Sequence, residues 1–158
     1  PIMEMCHRYN VPLIINDRVN VAAEIHADGV HIGQSDMDAA KARKILGPDS
    51  IIGVTAKTVE QALKAQAEGA DYLGSGAVFG TTTKSDAKPM DIDTLNAICD
   101  SVDIPVVAIG GINNDNVMKL SGSRIAGIAV VSGIFDNKDI KGAAQSLRAK
   151  ALNIISGR

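Results

Sequence analysis

Aromatic side chains are scarce in this chain of 158 residues: they make up 3% of it, and there is no Trp. Proteins that hold a polynucleotide show stacking aromatics or a basic face. Here 16 basic residues are set against 18 acidic ones, no basic run occurs, and the net charge is −2. These absences argue against a large nucleic-acid partner. Cysteine is nearly absent too. Cys6 and Cys99 lie far apart, with no CxxC spacing and no Cys/His cluster. Such a pair reads as reduced thiols of a cytoplasmic protein, not as a disulfide frame or zinc site. His7, His26 and His31 lack the spacing of a metal triad. No apolar stretch approaches the roughly 20 residues of a membrane helix, and no secretory signal opens the sequence.

What remains is 46% apolar and 22% charged, the balance of a soluble globular domain. Short apolar runs recur as VPLIIN (11–16), GVHIG (29–33), IIGVTA (51–56), YLGSGAV (72–78), PVVAIG (105–110) and GIAVVSG (127–133). They are rich in Val, Ile and Gly without strict alternation, as expected of parallel strands covered on both faces. Helical spacing fills the gaps. TVEQALKAQAEG would bury Val59, Leu63 and Ala67 and stop at Gly69, MDAAKARKILG stops at Gly47, and DIDTLNAICDS opens on acids that suit a helix N-terminus. Strand starts fall mostly about twenty residues apart, the length of one strand–helix unit. The short helices, the near-constant period and the lack of an early GxGxxG turn favour an α/β fold of the (β/α)8 TIM-barrel type, with six of the eight units in this chain. Residues 1–158 read as a single barrel domain. PIMEMCHRYN looks helical from its first residue, so two strands are expected to lie N-terminal to this sequence.

In such barrels the chemistry collects at the C-terminal ends of the strands, and the unusual residues fall there. Asn16-Asp17-Arg18 follows the first run, and Gln34 and Asp36 follow the second. Neighbouring strands lie about 4.8 Å apart, so Asp17 and Asp36 can share a cation such as Mg²⁺, which one or two carboxylates hold together with substrate phosphate. Each acid has a plainer alternative as a turn residue or helix cap. Thr55, at the end of the third run, is a candidate hydroxyl or an ordinary turn or cap residue. GTTTK places Thr81, Thr83 and Lys84 in a small hydroxyl-rich basic loop that suits phosphate, the alternative being a solvated loop. Gly110-Gly111 ends the fifth run and Val131-Ser132-Gly133 the sixth, positions at which a barrel offers backbone N–H groups to phosphate. His31, inside a strand, reads as a hydrogen-bonded core residue rather than a catalyst.

Together VPLIINDRVNVA, ADGVHIGQSD, GVTAKT, EGADYLGSGAVFGTTTK, IPVVAIGGI and GIAVVSGIF resemble the thiamine-phosphate synthase family, in family order over essentially the whole chain. The resemblance implies a cytoplasmic transferase of thiamine biosynthesis. It joins hydroxymethylpyrimidine pyrophosphate to hydroxyethylthiazole phosphate and releases pyrophosphate, leaving a pyrimidine-methyl cation for the thiazole nitrogen to capture. It further implies Mg²⁺ on Asp17 and Asp36, and pyrophosphate on Asn16 and Lys84. Thiazole phosphate would sit on Thr81, Thr83, Gly111, Val131 and Ser132, with Thr55 and Lys84 as the catalytic pair. Two departures stand out. Thr55 replaces the Ser of the family's GVS, and the family's upstream Gln-x-Arg-x-Lys strand has no counterpart in this sequence. The 158-residue polypeptide is therefore expected to be inactive by itself and its parent active, with an N-terminal segment or a second copy complementing the barrel. Two other functions stay open: a thiazole-tautomerase-like barrel of the same pathway, and a non-catalytic module binding a phosphate ligand. Asn16, Asp17, Asp36 and Lys84 speak against the first of these, as does Thr55 where the tautomerase has a histidine. Arg18 has no assigned role.

Overall fold

A computed structural model describes residues 2–80 and 89–157. The apolar runs become six parallel strands: β1 (Ile14–Asn16), β2 (Gly29–Ile32), β3 (Ile51–Thr55), β4 (Tyr72–Gly76), β5 (Val106–Ile109) and β6 (Gly127–Ala129). They pair in sequence order, β1-β2-β3-β4-β5-β6, in one sheet. Helix α1 (Ile2–Arg8) precedes β1, and α2 (Val19–Glu24), α3 (Ala39–Leu46), α4 (Val59–Ala67) and α5 (Ile92–Ser101) follow the first four strands. A 3-10 turn (Val117–Leu120) follows β5, and α6 (Ser132–Phe135) and α7 (Ile140–Ser156) follow β6. This is the architecture of a (β/α)8 barrel over six of its units. Among the described residues, no helix is long and apolar enough to cross a membrane, and no disulfide joins half-buried Cys6 to buried Cys99.

The aliphatic core lies between sheet and helices, where Val30, Ile32, Ile52, Leu73 and Ala108 are buried against Leu95, Ile98 and Leu147. Two details of the sequence reading change. In α4 the buried stripe is Ala62 and Ala65, whereas Leu63 is 47% exposed. Steps of three residues from Val59 set two alanines against the sheet, and their small side chains let the helix approach closely. The sixth strand stops at Ala129, and Ser132 already opens α6. Gly47 and Gly69 do end their helices, at φ +94° and +87°, a left-handed backbone that glycine adopts without a Cβ penalty.

The N-terminal rim is closed by carboxylates. Asp28, just before β2, accepts the Leu13 N–H at 2.7 Å and the His7 ring at 2.8 Å, tying α1 and the entry to β1 onto the second unit. Asp71, just before β4, does the same for the Ile52 N–H at 2.7 Å. Its carboxylate also takes the Arg43 guanidinium at 2.7 Å, and Arg43 donates further to the carbonyls of Pro48, Ser50 and Gly69.

The Leu13 N–H, then the His7 ring, hold the Asp28 carboxyl below its ordinary value of 3.8. A folded-state value below the unfolded one stabilises the fold fully above the unfolded value, and that stability disappears as pH falls through the folded one. Asp28→Ala is therefore expected to cost about 1–3 kcal/mol at neutral pH. Urea unfolding at pH 7 and pH 3 checks this: the gap between wild type and variant should shrink at the acidic pH, and an unchanged gap would refute the assignment.

Candidate active site

Because the strands are parallel, Asn16, Gln34, Asp36, Thr55, Gly111 and Ser132 all reach the one C-terminal rim. Asn16 ends β1 and pairs in register with His31 of β2. The ladder runs one residue further, with the Asp17 N–H donating to the His31 carbonyl at 2.7 Å. Asp17 then leaves the strand at φ +62°, a conformation that Asp tolerates better than most residues but that still stores strain. Its Oδ2 accepts from the Asn16 side-chain amide at 2.7 Å. On the neighbouring strand end, Asp36 Oδ2 accepts the Gly33 N–H at 2.7 Å. Among the described residues, no hydrogen bond engages the second oxygen of either carboxylate.

The structure decides against the capping alternatives. The residue capping α2 is Arg18, which makes no side-chain cap, so Asp17 is not the cap of that helix. Asp38, not Asp36, caps α3, accepting the Lys41 N–H at 2.8 Å. Thr58, not Thr55, caps α4, accepting from the Gln61 N–H at 3.2 Å. Asp17, Asp36 and Thr55 are thus all released from helix ends.

Thr55 sits on the inner face of the sheet. Its carbonyl accepts the Gln34 side-chain amide at 2.6 Å, and its hydroxyl lies 3.0 Å from His31 Nε2. His31 Nδ1 lies 3.0 Å from the Tyr72 hydroxyl. Burial pushes the Tyr72 phenol above its ordinary value. Tyr72 is the member of this group that the sequence reading missed. The signal was there in Gly53 and Gly74, since glycine inside a strand marks a close approach. A Cβ at Gly53 would fall 2.1 Å from the Tyr72 ring, and one at Gly74 would fall 2.8 Å from the His31 ring.

On the other side of the rim, Gly110 and Gly111 turn at φ +102° and +65°. A Cβ on Gly111 would meet the Gly80 carbonyl oxygen at 2.3 Å, so Phe79 and Gly80 lie directly against this turn. Asn116 accepts the Asn113 N–H at 2.9 Å and donates to the Gly111 carbonyl at 2.8 Å, closing the INNDN loop on itself. Helix α7 braces it through Ser146 and Lys150, which donate to Asn114 at 2.6 and 2.7 Å. Val131 is exposed and Ser132 half-buried at the start of α6. Thr81, Thr83 and Lys84 lie outside the described residues.

A cavity of about 260 Å³ lies beside Asp36, lined by Ile32, Val54, Lys41, Gln61 and Lys64. Ile32 and Val54 point to the helix layer, so this space opens between α3 and α4 and not onto the face that carries Thr55. Among the described residues, no group of three or more His, Cys, Asp or Glu could hold a metal ion.

A family model described as thiamine monophosphate synthase matches residues 1–134. The thiamine-phosphate synthase of Ruminiclostridium cellulolyticum is 57% identical over 140 residues, which is 89% of this chain and 67% of that protein. For the enzyme of Clostridium tetani the identity is 55% over the same shares. Among solved structures, the thiamine phosphate pyrophosphorylase of Pyrococcus furiosus superposes with a TM-score of 0.89 at 39% identity, over 98% of this chain and 74% of that one. Family model, relatives and solved structure agree with the six-unit barrel sheet: this chain is a member of the thiamine-phosphate synthase family.

Proposed function

We propose that the C-terminal rim handles the pyrophosphate and phosphate groups of a thiamine-phosphate synthase. This transferase joins hydroxymethylpyrimidine pyrophosphate to hydroxyethylthiazole phosphate and releases pyrophosphate. The observation that carries the assignment of Asp17, Asp36 and Thr55 is that Arg18, Asp38 and Thr58 occupy the cap positions of α2, α3 and α4, which leaves the three free of capping and available to a ligand.

The physical demand of the reaction is stabilisation of the negative charge that develops on a departing pyrophosphate. Asp17 and Asp36 fit Mg²⁺: they are hard oxygen donors on adjacent strand ends, each with one oxygen uncommitted among the described residues. When bound there, Mg²⁺ would supply charge neutralisation to the pyrophosphate oxygens. Asn16 orients Asp17 through its amide and lies at the strand end to contact the same anion. Thr55 offers a hydroxyl from the next strand but one, and Lys84 the balancing cation. Gly111, Val131 and Ser132, with Thr81 and Thr83, hold the thiazole phosphate. That side of the rim provides closely packed backbone instead of charge, which suits a group that must be positioned but not cleaved.

In the full-length protein, Asp17→Ala and Asp36→Ala are each expected to lower turnover by roughly 100-fold or more. Calorimetric binding of the pyrimidine pyrophosphate should depend on Mg²⁺ in wild type and lose that dependence in both variants. Turnover within a few-fold of wild type would remove the metal assignment, and Mg²⁺-independent binding in wild type would favour tautomerase-like chemistry.

Gly111→Ala brings a Cβ against the Gly80 carbonyl at a positive φ. It should raise KM for the thiazole phosphate by about 10- to 100-fold, with little change in KM for the pyrimidine pyrophosphate. Equal effects on both substrates would contradict the division of the rim.

A further inference from the structure

Tyr72, His31 and Thr55 form a continuous hydrogen-bonded chain across three strands, and its direction follows from counting protons. Tyr72 Oη is 3.0 Å from His31 Nδ1, and His31 Nε2 is 3.0 Å from Thr55 Oγ1. The arrangement is built into the sheet. His31, Gly53 and Tyr72 are partners in register on β2, β3 and β4, and Thr55 and Gly74 are partners on the next inward-facing level. Glycine at 53 and 74 clears the room, because a Cβ at either position would overlap one of the two rings. The rings themselves lie 5.4 Å apart at 39°.

A threonine hydroxyl has one proton and a phenol has one. If Thr55 faces an anionic pyrophosphate, its proton must point to that anion. Its oxygen can then only accept from His31, which requires the proton on Nε2. Neutral imidazole with Nε2–H has a bare lone pair on Nδ1, and that atom needs a donor. Tyr72 stands at that position, and the burial that raises its phenol above the ordinary value keeps it protonated. The chain therefore runs one way, from Tyr72 O–H to Nδ1, from Nε2–H to Thr55 Oγ1, and from Thr55 O–H to the ligand.

We propose that Tyr72 and His31 are positioning residues that fix the His31 tautomer and so aim the Thr55 hydroxyl proton at the pyrophosphate site. This rests on the reading of Thr55 as a pyrophosphate contact. The step breaks no covalent bond; it presets the direction of one hydrogen bond. It gives His31 and Tyr72 a task that neither a metal-ligand nor a general-base role would describe.

The test uses the full-length protein with Mg²⁺ and inorganic pyrophosphate as the binding probe, and both substrates for turnover. Thr55→Val is expected to lower kcat/KM by about 10- to 100-fold, the usual scale for a supporting hydrogen bond at such a site. His31→Phe should lose a similar factor, and the double variant should be no worse than Thr55→Val alone. His31→Gln, whose amide N–H can stand where Nε2–H stood, should recover to within a few-fold of wild type. In ¹⁵N imidazole spectra with Mg²⁺ and pyrophosphate, wild-type His31 should be the Nε2–H tautomer, and Tyr72→Phe should give a mixture. Independent, multiplying losses in the double variant would overturn the relay while leaving Thr55 at the pyrophosphate. An Nδ1–H tautomer would overturn it whether or not the His31 variants fold. A silent Thr55→Val would remove both the relay and the Thr55 assignment beneath it.

Discussion

Everything at the site depends on the parallel ladder being laid down in sequence order. A parallel pair keeps all its strand ends pointing one way, and a strand-to-strand crossover through a helix keeps neighbours in sequence as neighbours in space. Asn16 and His31 are ladder partners, as are His31 and Gly53, and Gly53 and Tyr72. Side chains tens of residues apart in the chain are therefore delivered to one rim with no dedicated contact to bring them there. At the candidate site the backbone adds only local adjustments, such as the left-handed turn at Asp17 and the paired glycines at 110 and 111.

The two faces of the sheet divide the work by composition. The face against the helices is aliphatic and closely packed, with Ile32, Ile52 and Leu73 fully buried. The inner face alternates with it and carries Asn16, His31, Thr55 and Tyr72 between glycines. Alternation along a strand makes this possible: the same five residues of β3 place Ile52 and Val54 in the core, and Gly53 and Thr55 at the site. At the N-terminal rim, carboxylates hold backbone N–H groups across units: Asp28 takes that of Leu13 and Asp71 that of Ile52.

Much of this was legible from the residues. Runs of Val, Ile and Gly located all six strands, and Gly47 and Gly69 located two helix stops, because those signals are local. Cap assignment was not legible. Asp36 and Asp38 are two residues apart, Thr55 and Thr58 three, and each can cap as well as the other by composition. Only the φ and ψ angles of the folded backbone choose. The α4 face was misread for a related reason: Leu63 is the more apolar residue, yet close approach to the sheet favours Ala62 and Ala65. Tyr72 escaped notice because its partner, His31, belongs to a different unit, and the glycines that make space for it carry no side chain to signal what they accommodate.

The Arg43 clamp has a consequence for how the molecule breathes. One guanidinium joins the α3–β3 turn to the α4–β4 turn, and its carboxylate partner also accepts the Ile52 N–H of β3. Neither unit can open alone without uncovering groups that belong to the other. Sub-global openings in proteins follow such cooperative blocks, so the third and fourth units, with the inner-face cluster of Thr55 and Tyr72, are expected to open together. A cation at the N-terminal end thus ties together the strands that carry Thr55 and Tyr72.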